Sequence, residues 1–153
     1  MTRVVWIALL FAWWASPAMA AGQRLSYALE CLALNVYWEA DPALPRDQLA
    51  VAYVTLNRVR HKGFPNSVCA VVHQGGERPV GGCQFHWWCD GRPDTPTDEA
   101  KWQSSLRASR TAMARLLPDP TRGALYFHNA SVRPSWAASL RRTVKIGSHR
   151  YYK

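Results

Sequence analysis

The chain has 153 residues, with 19 Lys and Arg against 10 Asp and Glu, for a formal charge of +9. Once a leader is set aside, that length supports one domain with one core and excludes two ordinary ones. The basic balance favours an anionic partner, but the charges are scattered, with short clusters only at "NRVRHK" and "LRRTVK". That pattern argues against a dedicated nucleic-acid arm, though not against a basic groove, and no nucleic-acid partner is expected.

In "MTRVVWIALLFAWWASPAMA", Arg3 precedes an apolar run and Ala18-Met19-Ala20 supplies small residues at a cleavage point. This describes a secretory signal over residues 1–20, with a mature domain over 21–153. The apolar run of about 11 residues falls short of the ~20 that a spanning helix needs, so no lasting membrane anchor is expected. An exported monomer in the periplasm, wall or medium follows.

Leu25, Leu29, Leu32 and Val36 recur at helical steps and predict a helix from about Arg24 to Ala40, ended by Asp41-Pro42. A second helix from Asp47 to near Gly63 presents Leu49, Ala52, Tyr53, Leu56 and Val59. "FPNSVCAVVHQ" predicts a short third helix capped by Asn66 or Ser67. After the flexible "GGERPVGG" and the aromatic "CQFHWWCDGRPDTP", Thr97 or Asp98 caps a fourth helix with Trp102, Leu106, Met113 and Leu116 as its apolar residues. "ALYFHN", "TVKIG" and "HRYYK" are short strand-like pieces. The expected class is α+β, mainly helical, one domain with a small antiparallel element.

Glu39 lies three residues beyond Val36 and continues the apolar face of the first helix. Burial disfavours its charged form, and the negative end of the helix dipole acts in the same direction. Both hold a proton on the acid near neutral pH, the form a general acid needs to protonate a glycosidic oxygen. The plainer alternative is a helix that frays after Tyr37 and lets Glu39 reach solvent.

Trp38, Trp87, Trp88 and Trp136 are many for so small a domain and suit either a core or the floor of a sugar site. The four cysteines, Cys31, Cys69, Cys83 and Cys89, allow three pairings; the short loop favours Cys83 with Cys89, which leaves Cys31 with Cys69. Cys83, His86 and Cys89 could instead hold zinc, but no fourth ligand stands at a usual spacing. A zinc hydrolase built from His86, Asp90, His128 and His149 lacks HExxH or another close ligand pair. No metal and no cofactor are expected.

Several blocks together resemble the SleB/CwlJ-type cell wall hydrolase family: "LALNVYWEA", "QLAVAYVTLNRV", "FPNSVCAVV", "CQFHWWCDG", "LPDPTRGALYFHNASVRPSW" and "KIGSHRYY". They stand in the family's order and span nearly all of the chain after Arg24. The resemblance implies a lysozyme-like fold related to resuscitation-promoting factors, peptidoglycan as partner and substrate, and Glu39 as the catalytic glutamate. It implies a lytic transglycosylase, in which that residue first protonates the bond between N-acetylmuramic acid and N-acetylglucosamine. As a carboxylate it then takes the proton of the muramyl 6-hydroxyl. By position it also implies Gln84, Phe85, Trp87, His128 and Asn129 as groove residues.

A hydrolase would need a second carboxylate about 5 to 10 Å away, for which Asp41 and Asp90 are the nearest candidates. Where the family commonly reads EARGEPLEGQ, this chain reads "EADPALPRDQ", so the second glutamate has become Ala43. A non-catalytic wall-binding protein and a zinc-dependent amidase are the alternatives.

Overall fold

The computed structural model describes residues 17–76 and 82–153. The expected signal lies, for residues 1–16, outside the described residues, as do residues 77–81 of the glycine-rich loop. Four helices, α1 (Pro17–Glu39), α2 (Pro45–Arg60), α3 (Val68–Val72) and α4 (Glu99–Met113), precede a three-stranded sheet. Its strands are β1 (Tyr126–Asn129), β2 (Arg142–Ile146) and β3 (His149–Tyr152), antiparallel in the order β1-β3-β2.

α2 organises the core. All ten residues from Asp47 to Leu56 are buried, which an amphipathic surface helix cannot achieve. One side of α2 packs with Leu32 and Val36 of α1, Val71 and Val72 of α3 and Ala112 of α4. On the other side Ala50 and Val54 meet Ala124, Ile146 and Tyr151 beneath the sheet. The sequence pattern had assigned α2 a single apolar face; the sheet supplies the second.

Local chemistry sets the ends of these helices. Pro45 opens α2, where its missing N–H removes no helical bond. Ser67 caps α3 by accepting from Ala70 N–H, and Asp98 caps α4 by accepting from Lys101 N–H. The disulfide Cys31–Cys69 ties α1 to α3, and Cys83–Cys89 brackets a short 3-10 helix over His86–Cys89.

Two expectations of burial are corrected. Leu25 is 61% exposed, because α1 projects beyond the elements that cover Leu32 and Val36. Leu116 lies past the end of α4 and is 73% exposed. The residues of α4 that are fully buried are Ser105, Ser109 and Ala112. Small side chains let the α4 backbone approach its neighbours, while Trp102, Leu106 and Met113 flank that contact half-buried.

Candidate active site

Glu39 is the last residue of α1 and is partly exposed. The chain continues through Ala40, whose N–H still bonds to Val36 carbonyl, and turns at Asp41-Pro42. Burial raises the Glu39 pKa from 4.5 to about 7, and the neighbouring His149 and Arg58 oppose the rise without cancelling it. The acid is therefore about half protonated at neutral pH. A glutamate on the apolar face, not a frayed end, is what the helix presents.

The groups around Glu39 come from α2 and β3. Arg58 is buried beneath three aromatic rings, with its guanidinium carbon 5.2 Å from the Phe64 centroid, 5.1 Å from Phe85 and 5.8 Å from Tyr126. Its Nε donates to Leu125 carbonyl at 2.7 Å, and burial lowers its pKa to about 10. His149 and Tyr151 sit on β3, and Phe127 on the neighbouring strand meets the His149 ring edge-on at 5.2 Å. Burial, followed by the Asp47 and Glu39 carboxylates, pushes the Tyr151 phenol up, so it stays a neutral donor.

Arg58 and Phe127 also belong to the wall of a cleft of about 340 Å³, completed by Gln84, Tyr126, Trp136, Ser139 and Leu140. A smaller concavity of about 110 Å³ is lined by Trp38, Trp87, Asp90, Arg92, Pro93 and Asp94. Trp38 immediately precedes Glu39, is 37% exposed and stacks on Trp87 with centroids 6.3 Å apart. Trp38 thus presents an exposed indole backed by a second ring, a surface that suits an apolar face.

The residues assigned to a groove by resemblance separate into two kinds. Gln84 is exposed and Asn129 is exposed, but Asn129 Oδ1 already accepts from the Ser131 N–H and hydroxyl. Phe85, Trp87 and His128 are buried, so they support the walls rather than meet solvent. Trp87 Nε1 donates to Asn35 Oδ1 at 3.0 Å, and Asn35 Nδ2 donates to Thr55 Oγ1, which fixes the indole from below. His128 Nδ1 lies 2.7 Å from Asn129 carbonyl and therefore carries the proton, leaving Nε2 to accept from Tyr152 hydroxyl at 2.9 Å.

The histidines and cysteines do not gather. Cys83 and Cys89 are bonded to each other and His86 is exposed. His128 is bound to Tyr152 and His149 to Asp47. Among the described residues, no group of three or more His, Cys, Asp or Glu is arranged to hold a metal ion.

The carboxylates proposed as partners of Glu39 are also placed. Asp41 is exposed and its Oδ1 accepts from Ala43 N–H; Asp90 Oδ1 accepts from Arg92 N–H. Neither contributes to the charges that act on Glu39. The sequence reading missed Asp47, Arg58, Tyr151 and the Asn35–Trp87 contact. Only its place between Leu56 and Val59 in the last turn of α2 could have pointed to Arg58.

The sequence model of the cell wall hydrolase family matches residues 45–152. The chain belongs to the cell wall hydrolase family. That match begins at Pro45, six residues after Glu39. A spore cortex-lytic enzyme of Bacillus cereus is 30% identical over 131 residues, covering 82% of this chain and 44% of the relative. The chain therefore spans less than half the length of the curated relatives it matches.

Two solved structures agree in fold. The catalytic domain of the Bacillus cereus SleB protein is 29% identical with a TM-score of 0.62, covering 84% of this chain and 91% of that one. The catalytic domain of the germination-specific lytic transglycosylase SleB from Bacillus anthracis is 28% identical with a TM-score of 0.57, covering 82% and 93%. The mainly helical α+β architecture with a small antiparallel sheet is thus the fold of those catalytic domains.

Proposed function

We propose that this cell wall hydrolase is a lytic transglycosylase that cleaves peptidoglycan glycan strands, with Glu39 as acid and then base. The observation that carries the reading is the raised pKa of Glu39, about 7, at the end of a helix whose preceding residue, Trp38, exposes its indole. Protonated Glu39 gives its proton to the oxygen joining N-acetylmuramic acid to N-acetylglucosamine, and the C1–O bond breaks. Glu39, now a carboxylate, takes the proton of the muramyl C6 hydroxyl as that oxygen bonds to C1. The products are a 1,6-anhydro end and a free 4-hydroxyl, with no water consumed and the acid restored.

A single carboxyl group suffices for this sequence of steps, whereas hydrolysis calls for a second. The disposition of the other acids favours the single-carboxyl route, because Asp41 and Asp90 are held by their own turns and Asp47 is fully buried. Arg58 provides positive charge that stabilises the carboxylate once it has lost its proton. The similar Bacillus anthracis protein is described as a lytic transglycosylase, which supports the same assignment here.

The leader over residues 1–20 delivers the 21–153 domain outside the cytoplasm, and cleavage after Ala20 trims the first turn of α1. Digestion of purified sacculi tests the reading. The wild-type protein releases fragments with anhydro-muramyl ends by mass spectrometry, and Glu39→Gln releases none. Activity retained in Glu39→Gln, or free stem peptides as the product, would overturn it.

A further inference from the structure

Asp47 is fully buried, and the acid–base cycle of Glu39 gives it no part. Donors from separate segments converge on it. Asp41 N–H donates to Oδ2 at 3.0 Å, and Tyr151 hydroxyl donates to Oδ1 at 3.0 Å. His149 Nδ1 lies 3.0 Å from Oδ1 and 3.1 Å from Oδ2. A carboxylate accepts only, so Nδ1 carries the proton and the imidazole is held in one orientation with Nε2 turned away.

These bonds bracket Glu39. Asp41 is the second residue beyond it, so its bond to Asp47 fixes where the chain leaves α1. His149 and Tyr151 are the β3 groups within electrostatic reach of Glu39. The β2–β3 turn closes over the same carboxylate: a Cβ added at Gly147, whose φ is +54°, would lie 2.9 Å from Leu44 Cδ1 and 3.8 Å from Asp47 Oδ1.

We propose that Asp47 is a positioning residue for Glu39, fastening the helix end that carries the acid to the strand that carries His149 and Tyr151. The proposal rests on the reading of Glu39 as the reacting acid. In register with EARGEPLEGQ, this chain has Asp41 and Asp47 where that motif has arginine and glycine, and Ala43 and Arg46 where it has glutamate. Ala43 is exposed in the turn, whereas Asp47 is one helical turn further on and faces inward.

Asp47→Asn tests this with little change of volume. An amide can turn its NH2 toward Nδ1 and reverse the His149 tautomer. On soluble glycan fragments prepared from sacculi, kcat is expected to fall about a hundredfold while KM is unchanged, the size of effect that slight misplacement of a reacting group produces. The 15N shifts of the His149 ring are expected to show the proton moved from Nδ1 to Nε2.

Should Asp47→Asn fail to fold, Tyr151→Phe removes one donor and is expected to lower kcat about tenfold by the same loosening. Wild-type kcat with an unchanged tautomer in Asp47→Asn, or wild-type kcat in Tyr151→Phe, would overturn the proposal. Glu39→Gln assayed alongside separates the two ideas: if it is inactive, such results count against Asp47 alone, and if it is active, the reading of Glu39 fails.

Discussion

The Glu39→Gln variant makes a prediction about stability that is independent of catalysis. Because the pKa is about 7 when folded against 4.5 for the ordinary side chain, the folded protein holds this proton more tightly than the unfolded chain does. The stability tied to the protonated form is fully present below pH 4.5 and is lost as pH rises through about 7. Each tenfold difference in proton affinity is worth about 1.36 kcal/mol, so the interval sets an upper bound of about 3.4 kcal/mol at pH 8.

Water at the partly exposed carboxylate reduces this, and about 2 kcal/mol is expected. Glutamine has nearly the shape of the protonated acid and cannot ionise, so the variant keeps what the wild type loses. For a domain of this size about 2 kcal/mol is a rise in Tm of roughly 4 to 8 °C. Thermal unfolding followed by circular dichroism at pH 4.5 and pH 8 reads it directly. The two proteins should melt together at pH 4.5 and the variant should melt higher at pH 8. Equal midpoints at pH 8, or a less stable variant there, would refute the claim that burial sets the protonation of Glu39.

The same value predicts that kcat/KM on glycan falls about tenfold per pH unit above about pH 7, and a flat profile to pH 9 would be inconsistent with Glu39 as the acid. Replacing Cys31 and Cys69 by alanine opens a loop of 38 residues and is expected to cost about 4 kcal/mol in chemical denaturation. Ser109 Oγ is buried without a hydrogen-bond partner, so Ser109→Ala should be neutral or stabilising by up to about 1 kcal/mol. Ser109→Leu should destabilise by about 1 to 3 kcal/mol through overpacking of the α4 contact.

Glu39 was legible because α1 is a long helix with a clear period, and an acid that continues an apolar stripe contradicts its own chemistry. The caps at Ser67 and Asp98 were legible for a similar reason, since short polar side chains at helix starts satisfy backbone N–H groups locally. The buried face of α4 was not. Serine and alanine bury well when helices approach closely, yet they carry little apolar signal, so Trp102 and Leu116 drew the eye instead.

Asp47 illustrates what long-range contact hides. An acid in the first turn of a helix is ordinary, because it complements the dipole there, and nothing local distinguishes a solvated one from a buried one. Its partners His149 and Tyr151 stand 102 and 104 residues away, on a strand whose pairing is decided only when the sheet closes over α2. Arg58 is hidden in the same manner, since its aromatic cover comes from Phe64, Phe85 and Tyr126.

The central claim is that Glu39 works without a second carboxylate and without water as nucleophile. Digesting purified sacculi in water enriched in oxygen-18 and weighing the released muramyl ends tests it most directly. The account predicts 1,6-anhydro ends that carry no label. Reducing ends bearing one oxygen-18 would contradict it and would place a hydrolytic base opposite Glu39.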